Sequence, residues 1–368
     1  MRVVVAPDSF KGVLDAGAAA EAIAAGVRQA RPVAEIDVVP MADGGEGTLD
    51  CLLAAGGGNR RRVATHGPLG EPVTATVGLI DHAATAVVEL AQAAGYGLVP
   101  DDKRDPLVTT TYGVGEILRA VCEAEIEKII LAVGGSATVD GGAGMMQALG
   151  LAFHDRAGRV IPPCIAGGQL LDIAAITWND PPPGLDAVSF TVAHDVLNPA
   201  CGPNGAAAVF GPQKGADASA VRRLADGLER WADLLEAVAG RSVRSEPGTG
   251  AAGAVALPLR ALLTADLVPG VDVLCEANGL PGRIAGADLV LTGEGCLDGQ
   301  SRMGKVVGAV GRLAKAVGVP CTALVGTTGL GADRCLDLLD RYVSLDAPIS
   351  ETAERLTLVA EQVVRSDV

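Results

Sequence analysis

Met1-Arg2-Val3-Val4-Val5-Ala6-Pro7-Asp8-Ser9-Phe10-Lys11-Gly12 opens the chain, and Glu35-Ile36-Asp37-Val38-Val39-Pro40-Met41-Ala42-Asp43-Gly44-Gly45-Glu46-Gly47-Thr48 follows one helix later. Val3 to Ala6 is a continuous apolar run, which suits a strand buried on both faces. Asp15 is placed to cap an alanine-rich helix reaching Arg31, and Pro32 ends it. Glu35 to Pro40 reads as a second strand and Thr48 to Ala55 as a second helix, stopped by three glycines. Strand, loop, helix, strand, loop, helix is the order of a parallel sheet with helical crossovers.

The far end of the chain repeats that order. Asp288 to Thr292 and Cys321 to Val325 read as strands flanking a helix from Lys305 to Val317. A short helix (332–340), a strand near Tyr342 to Leu345 and a closing helix (351–365) complete it. The middle differs: residues 60–90 alternate around the turn Gly67-Pro68-Leu69-Gly70 and read as hairpin material, and Ala218 to Val238 is a long amphipathic helix. The expected fold is α/β, a discontinuous doubly wound parallel-sheet domain (1–65 and 285–368) with a second α/β domain (66–284) inserted. The expected site is the cleft between the two.

Composition narrows the function. Of 368 residues, 49 are glycine and 2% are aromatic, so loops are tight and stacking platforms are scarce. The formal charge of −15 repels phosphate backbones and anionic membranes, so neither nucleic acid nor membrane is an expected partner. Eight scattered cysteines with no C-x-x-C pair read as buried, reduced thiols of a cytoplasmic protein. No signal-peptide core and no apolar run of membrane-spanning length is present. A homodimer is left open.

The chemistry lies in glycine-rich loops carrying acids or lysines. The 6–12 and 42–48 loops leave strand ends, where ligands bind in doubly wound sheets; taken singly, Asp8 and Asp43 read equally well as turn or cap residues. Val133-Gly134-Gly135-Ser136-Ala137-Thr138-Val139-Asp140-Gly141-Gly142-Ala143-Gly144 sits between a strand and a helix, as a phosphate cradle would, with Asp140 placed near an accompanying metal. Gly248-Thr249-Gly250-Ala251-Ala252-Gly253 fits G-x-G-x-x-G, but without the strand before it that a dinucleotide site needs. Gly299 to Lys305 fits G-x-x-x-x-G-K, yet Val306 stands where magnesium would need Ser or Thr. Lys305 can still meet a phosphate, and Glu294 and Asp298 are metal or general-base candidates. Lys214, between two glycines, is a cation with little packing purpose. There is no G-x-S-x-G elbow, so phosphoryl transfer fits better than covalent hydrolysis.

Taken together, Ala6-Pro7-Asp8-Ser9-Phe10-Lys11, Ala42-Asp43-Gly44-Gly45-Glu46-Gly47-Thr48, Lys103-Arg104-Asp105-Pro106-Leu107, Gly134-Gly135-Ser136-Ala137-Thr138, Phe210-Gly211-Pro212-Gln213-Lys214-Gly215 and Thr292-Gly293-Glu294-Gly295 resemble the bacterial glycerate kinases of the first class. The resemblance runs in order from Arg2 to about Leu330. It implies phosphorylation of D-glycerate by ATP with Mg2+, the 2-position being favoured over the 3-position. On that reading Asp8, Ser9, Lys11, Asp43, Gly44 and Gly45 bind the substrate. Gly134, Gly135, Ser136, Thr138, Lys214 and Lys305 bind ATP. Asp43, Glu46 and Glu294 orient magnesium, and Asp195 or Asp298, with Lys11, carries the catalysis. The chain departs from the family pattern at Val139 (usually Asn), Leu197 (usually Thr) and Cys296 (usually Arg), losing a polar contact, a hydroxyl and a cation. Those departures leave a non-catalytic sensor of a glycerate-type acid as the alternative, and the 248–253 loop a less favoured dinucleotide-dependent oxidoreductase.

Overall fold

The computed structural model describes residues 1–124, 126–302, 304–346 and 348–366. The chain divides into two compact units, Met1–Asp43 with Asp50–Gly57 and Pro269–Val368, and Gly44–Leu49 with Gly58–Val268.

The first unit is a five-stranded parallel sheet in the order Arg341–Ser344, Cys321–Thr328, Leu289–Leu297, Arg2–Val5, Glu35–Val38. Val3, Val5, Leu289, Leu291 and Leu324 form one core with the helices Ala16–Ala30 and Thr352–Ser366. The alternate residues Val4, Val290, Ala323 and Val325 are equally buried, and the helix Val306–Val317, which packs on two of these strands, covers that opposite face. Burial on both faces is why these strands read as unbroken apolar runs. The helix Ala16–Ala30 begins as expected, with the Asp15 carboxylate accepting from the Ala18 N–H at 2.7 Å. It meets the closing helix so closely at Gly26 that a Cβ there would lie 2.2 Å from the Thr357 carbonyl oxygen.

The second unit carries a six-stranded mixed sheet in the order Asp266–Pro269, Ser189–His194, Lys128–Ala132, Thr85–Glu89, Pro72–Ile80, Asn59–His66. The strands from 59 to 89 are antiparallel, joined first by the Gly67–Gly70 turn. Thr85–Glu89, Lys128–Ala132 and Ser189–His194 are parallel. The long helix spans Ala218–Ala239, capped by Asp217, and buries Leu224, Leu228 and Trp231 in the core of this unit.

The units divide at Gly57 and Val268, where the sequence reading placed the boundaries after residues 65 and 284. Asn59–His66 pairs along its whole length with Pro72–Ile80 and so goes with the second unit. The helices Gly270–Ala277 and Leu280–Ala285 pack with Val306–Val317 and so go with the first.

The 248–253 loop runs into two short helices, Ala251–Ala254 and Ala256–Leu262, the first broken by left-handed Ala252, Gly253 and Ala254. A Cβ on Gly253 would fall 2.1 Å from the Thr138 carbonyl oxygen. Gly253 lets this segment press against the 134–144 loop, and Gly248 and Gly250 let it pass close to His194 and the Pro199 carbonyl, which explains the motif as a packing device.

Candidate active site

The carboxyl ends of the first unit's parallel strands open onto a cavity of ≈ 360 Å3. Asp8, Ser9, Phe10 and Lys11 reach it from the end of Arg2–Val5. Glu294, Gly295, Cys296 and Asp298 come from Leu289–Leu297 and its end, and Asp43, Lys305, Gly326, Thr327 and Thr352 complete the wall. From Arg2–Val5 the chain passes to Glu35–Val38 on one side, while Leu289–Leu297 lies on the other. Neighbouring loops diverge at such a switch in strand order, leaving a crevice for a ligand. Hydrogen bonds tie the walls of the crevice together: the Asp8 N–H donates to the Gly293 carbonyl at 2.9 Å, the Met41 N–H to the Pro7 carbonyl at 2.9 Å, and the Thr292 hydroxyl to the Ala6 carbonyl at 2.8 Å.

Asp8, Asp43 and Glu294 are each about 5–6% exposed. Burial pushes the Asp8 carboxyl up to about 7, with Asp43 adding to the rise and the Ser9 N–H and Lys11 opposing it. Burial likewise pushes Glu294 up to about 7, against the Ser301 hydroxyl and Lys305. Glu294 Oε1 is buried without a hydrogen-bond partner. An acid held near neutrality can take a proton from a substrate hydroxyl at working pH. Lys305 is the N-cap of Val306–Val317; a cation there opposes the helix dipole unless an anion binds between them.

The second unit holds the other cluster. The Lys214 ammonium, 4% exposed, donates to Ser136 Oγ and to the Thr138 carbonyl, both at 2.7 Å. Burial brings its pKa down to about 7, with Asp140 pulling the other way. Asp140 itself accepts from the Thr111 N–H and hydroxyl and from the N–H groups of Gly142 and Gly144. It braces the loop from inside, which accounts for an acid that the sequence alone would place near a metal. Gly134 approaches the 44–45 turn so closely that a Cβ would lie 2.5 Å from the Gly45 Cα, and its N–H donates to the Gly44 carbonyl. Glu89 Oε1 accepts from the N–H groups of Gly47 and Leu49, tying down the start of the helix Thr48–Gly56.

Among the residues expected from the sequence, Asp8, Ser9, Lys11, Asp43, Glu294, Asp298 and Lys305 line the one cavity. Gly134, Gly135, Ser136, Thr138 and Lys214 form the second-unit cluster, and Gly44, Gly45 and Glu46 lie beside it, Glu46 Cγ being 3.7 Å from the Cβ position of Gly135. Thr138 is fully buried, with Oγ1 unpartnered. Asp298 Oδ1 accepts from the N–H groups of Gln300 and Ser301, as a turn residue does. Asp195 is half-buried, one residue beyond the strand Ser189–His194. Arg104, from the 103–107 motif, lies 3.7 Å over the Tyr96 ring.

Thr327 and Thr352 line the cavity without having been singled out in the sequence; the doublet Thr327-Thr328 at the end of an apolar strand is the signal that could have found the first. The departures separate cleanly. Val139 is a fully buried core residue, Leu197 is 68% exposed, and Cys296 is exposed in the cavity wall. The expectation that all cysteines are buried fails at Cys296, which is exposed in the cavity wall, and in part at Cys164 and Cys201, which are half-buried.

The profile of the Glycerate kinase family matches residues 3–366. The chain belongs to that family. It is 42% identical to the glycerate kinase of Halalkalibacterium halodurans, over 98% of this chain and 97% of that one. It is 42% identical to the glycerate 2-kinase of Escherichia coli K12, over 89% and 85% of the two chains. A crystal structure from Salmonella typhimurium LT2 assigned as glycerate kinase 2 superposes with a TM-score of 0.86 at 39% identity, covering 100% of this chain and 98% of that one. Named glycerate kinases matched over nearly the whole chain make this chain a glycerate kinase family enzyme, against the sensor and oxidoreductase alternatives. Among the described residues no helix is long and apolar enough to cross a membrane.

Proposed function

We propose that the chain transfers the γ-phosphoryl group of ATP to the 2-hydroxyl of D-glycerate. The observation that carries this reading is the first-unit cavity, where two carboxyls held near 7 share a wall with two lysines. The preference for the 2-position is supported by likeness to a relative named glycerate 2-kinase.

Lys11 supplies the cation for the glycerate carboxylate, with Ser9 beside it. Asp8 accepts the hydroxyl proton, since its pKa of about 7 leaves it able to take a proton and able to lose it again. Lys305, at its helix start, offers charge to a phosphate. On the second unit, Gly134, Gly135 and Ser136 offer a loop open to phosphate oxygens, with Lys214 holding its shape and Thr138 buried at its base.

Among the described residues no three carboxylate, thiol or imidazole groups converge as a self-sufficient metal site would. Magnesium asks for less: one or two carboxylates, the rest of its shell being phosphate oxygens and water. Asp43 and the unpartnered Oε1 of Glu294 fit that demand. Bound there, Mg2+ would neutralise charge on the phosphates. Glu46, beside Gly135, is a further acid of the same type on the second unit.

The test is ADP release from D-glycerate, ATP and magnesium, with the product read by phosphorus NMR. A 2-phosphoglycerate resonance is expected. A 3-phosphoglycerate resonance would overturn the regiochemistry, and no ADP release would overturn the reading as a whole.

A further inference from the structure

Glu294 and Cys296 are two residues apart on the strand Leu289–Leu297, so their side chains share a face. Both line the cavity. Glu294 is 6% exposed with Oε1 unpartnered, which marks that face as built to receive a group from outside. Cys296 is exposed, and Thr327, its register partner on the next strand, lines the cavity with it. The other cysteines are buried or half-buried, and burial pushes the thiols of Cys201, Cys275 and Cys321 up to about 12. Access therefore separates Cys296 from the rest.

We propose that Cys296 is a reversible thiolation site, at which a small disulfide closes the cavity. The Cys296 sulfur attacks one sulfur of RSSR; the Cys296–S–SR bond forms as the RS–SR bond breaks, and the cysteine's proton leaves on the released RSH. Cys296 is oxidised and the departing half of the disulfide is reduced, so the exchange needs no other oxidant. A thiol reverses it by the same route. The adduct occupies space in the ≈ 360 Å3 cavity that the acceptor acid needs. The inhibition, as distinct from the adduct, rests on the proposal that this cavity binds D-glycerate.

The experiment treats the native full-length enzyme with cystamine, maps the adduct by mass spectrometry and follows ADP release. One adduct at Cys296 is expected, with activity falling at least tenfold and returning with dithiothreitol. D-Glycerate should slow the labelling, and Cys296→Ser and Cys296→Ala should keep their activity through the treatment. Full activity in the labelled enzyme, an adduct mapped to another cysteine, or equal sensitivity in both variants would overturn the proposal. If the untreated enzyme released no ADP, the kinase reading would fail by itself; labelling at Cys296 slowed by D-glycerate would still uphold the site, and labelling indifferent to it would not.

Discussion

The ammonium of Lys214 lies 2.7 Å from the hydroxyl oxygen of Ser136, a residue 78 positions earlier in the chain, and the same 2.7 Å from the carbonyl of Thr138. A buried lysine with its bonds spent on one glycine-rich loop fixes that loop's shape. Lys214→Met keeps much of the stem and removes the donors, leaving buried oxygens unpaired at a cost of about 1–3 kcal/mol. KM for ATP is expected to rise on the order of tenfold, with D-glycerate binding by calorimetry unchanged. An unaltered KM for ATP would separate Lys214 from the nucleotide.

Asp8 and Asp195 make competing claims on the substrate proton. Asp8→Asn is expected to lower kcat by about 10²–10⁴-fold, the range that general-base help supplies, with KM for ATP little changed. Asp195→Asn is the matched control. A loss of that size at Asp195, with Asp8→Asn close to wild type, would transfer the role to Asp195.

The raised carboxyls have a consequence for stability in the ligand-free protein. Asp8 and Glu294 titrate at about 7 when folded and at about 4 when unfolded. Between those values the folded state holds protons that the unfolded chain has released, so stability falls as pH rises through the window. The difference in Tm between wild type and Asp8→Asn should therefore shift against wild type between pH ~4 and ~7 and level off above that. A difference that does not move with pH would show that Asp8 is not held near neutrality.

Gly26 tests the scaffold without touching the site. A Cβ there would sit 2.2 Å from the Thr357 carbonyl oxygen and 2.8 Å from the Ala360 Cβ. Gly26→Ala must push apart the helices Ala16–Ala30 and Thr352–Ser366, at a cost of about 1–3 kcal/mol. A lower Tm with unchanged KM values is expected; an unchanged Tm would mean that the two helices are free to separate.

The order of elements and the position of the glycine-rich loops were legible in the amino-acid sequence, because each rests on local chemistry. Apolar runs mark strands buried on both faces, Asp15 marks a helix start, and glycines beside Asp8, Asp43 and Gly134 mark turns at strand ends. Tertiary structure alone decided what those residues do. The proton affinity of Asp8 depends on burial and on Asp43, 35 residues away in sequence. Asp140 became a brace because Thr111 and two glycine N–H groups fill its oxygens. Val139 went into the core and Cys296 into the cavity wall. The glycines at 248–253 proved to serve close packing. Desolvation and close approach are set by neighbours remote in sequence, so no reading of local pattern could have assigned them.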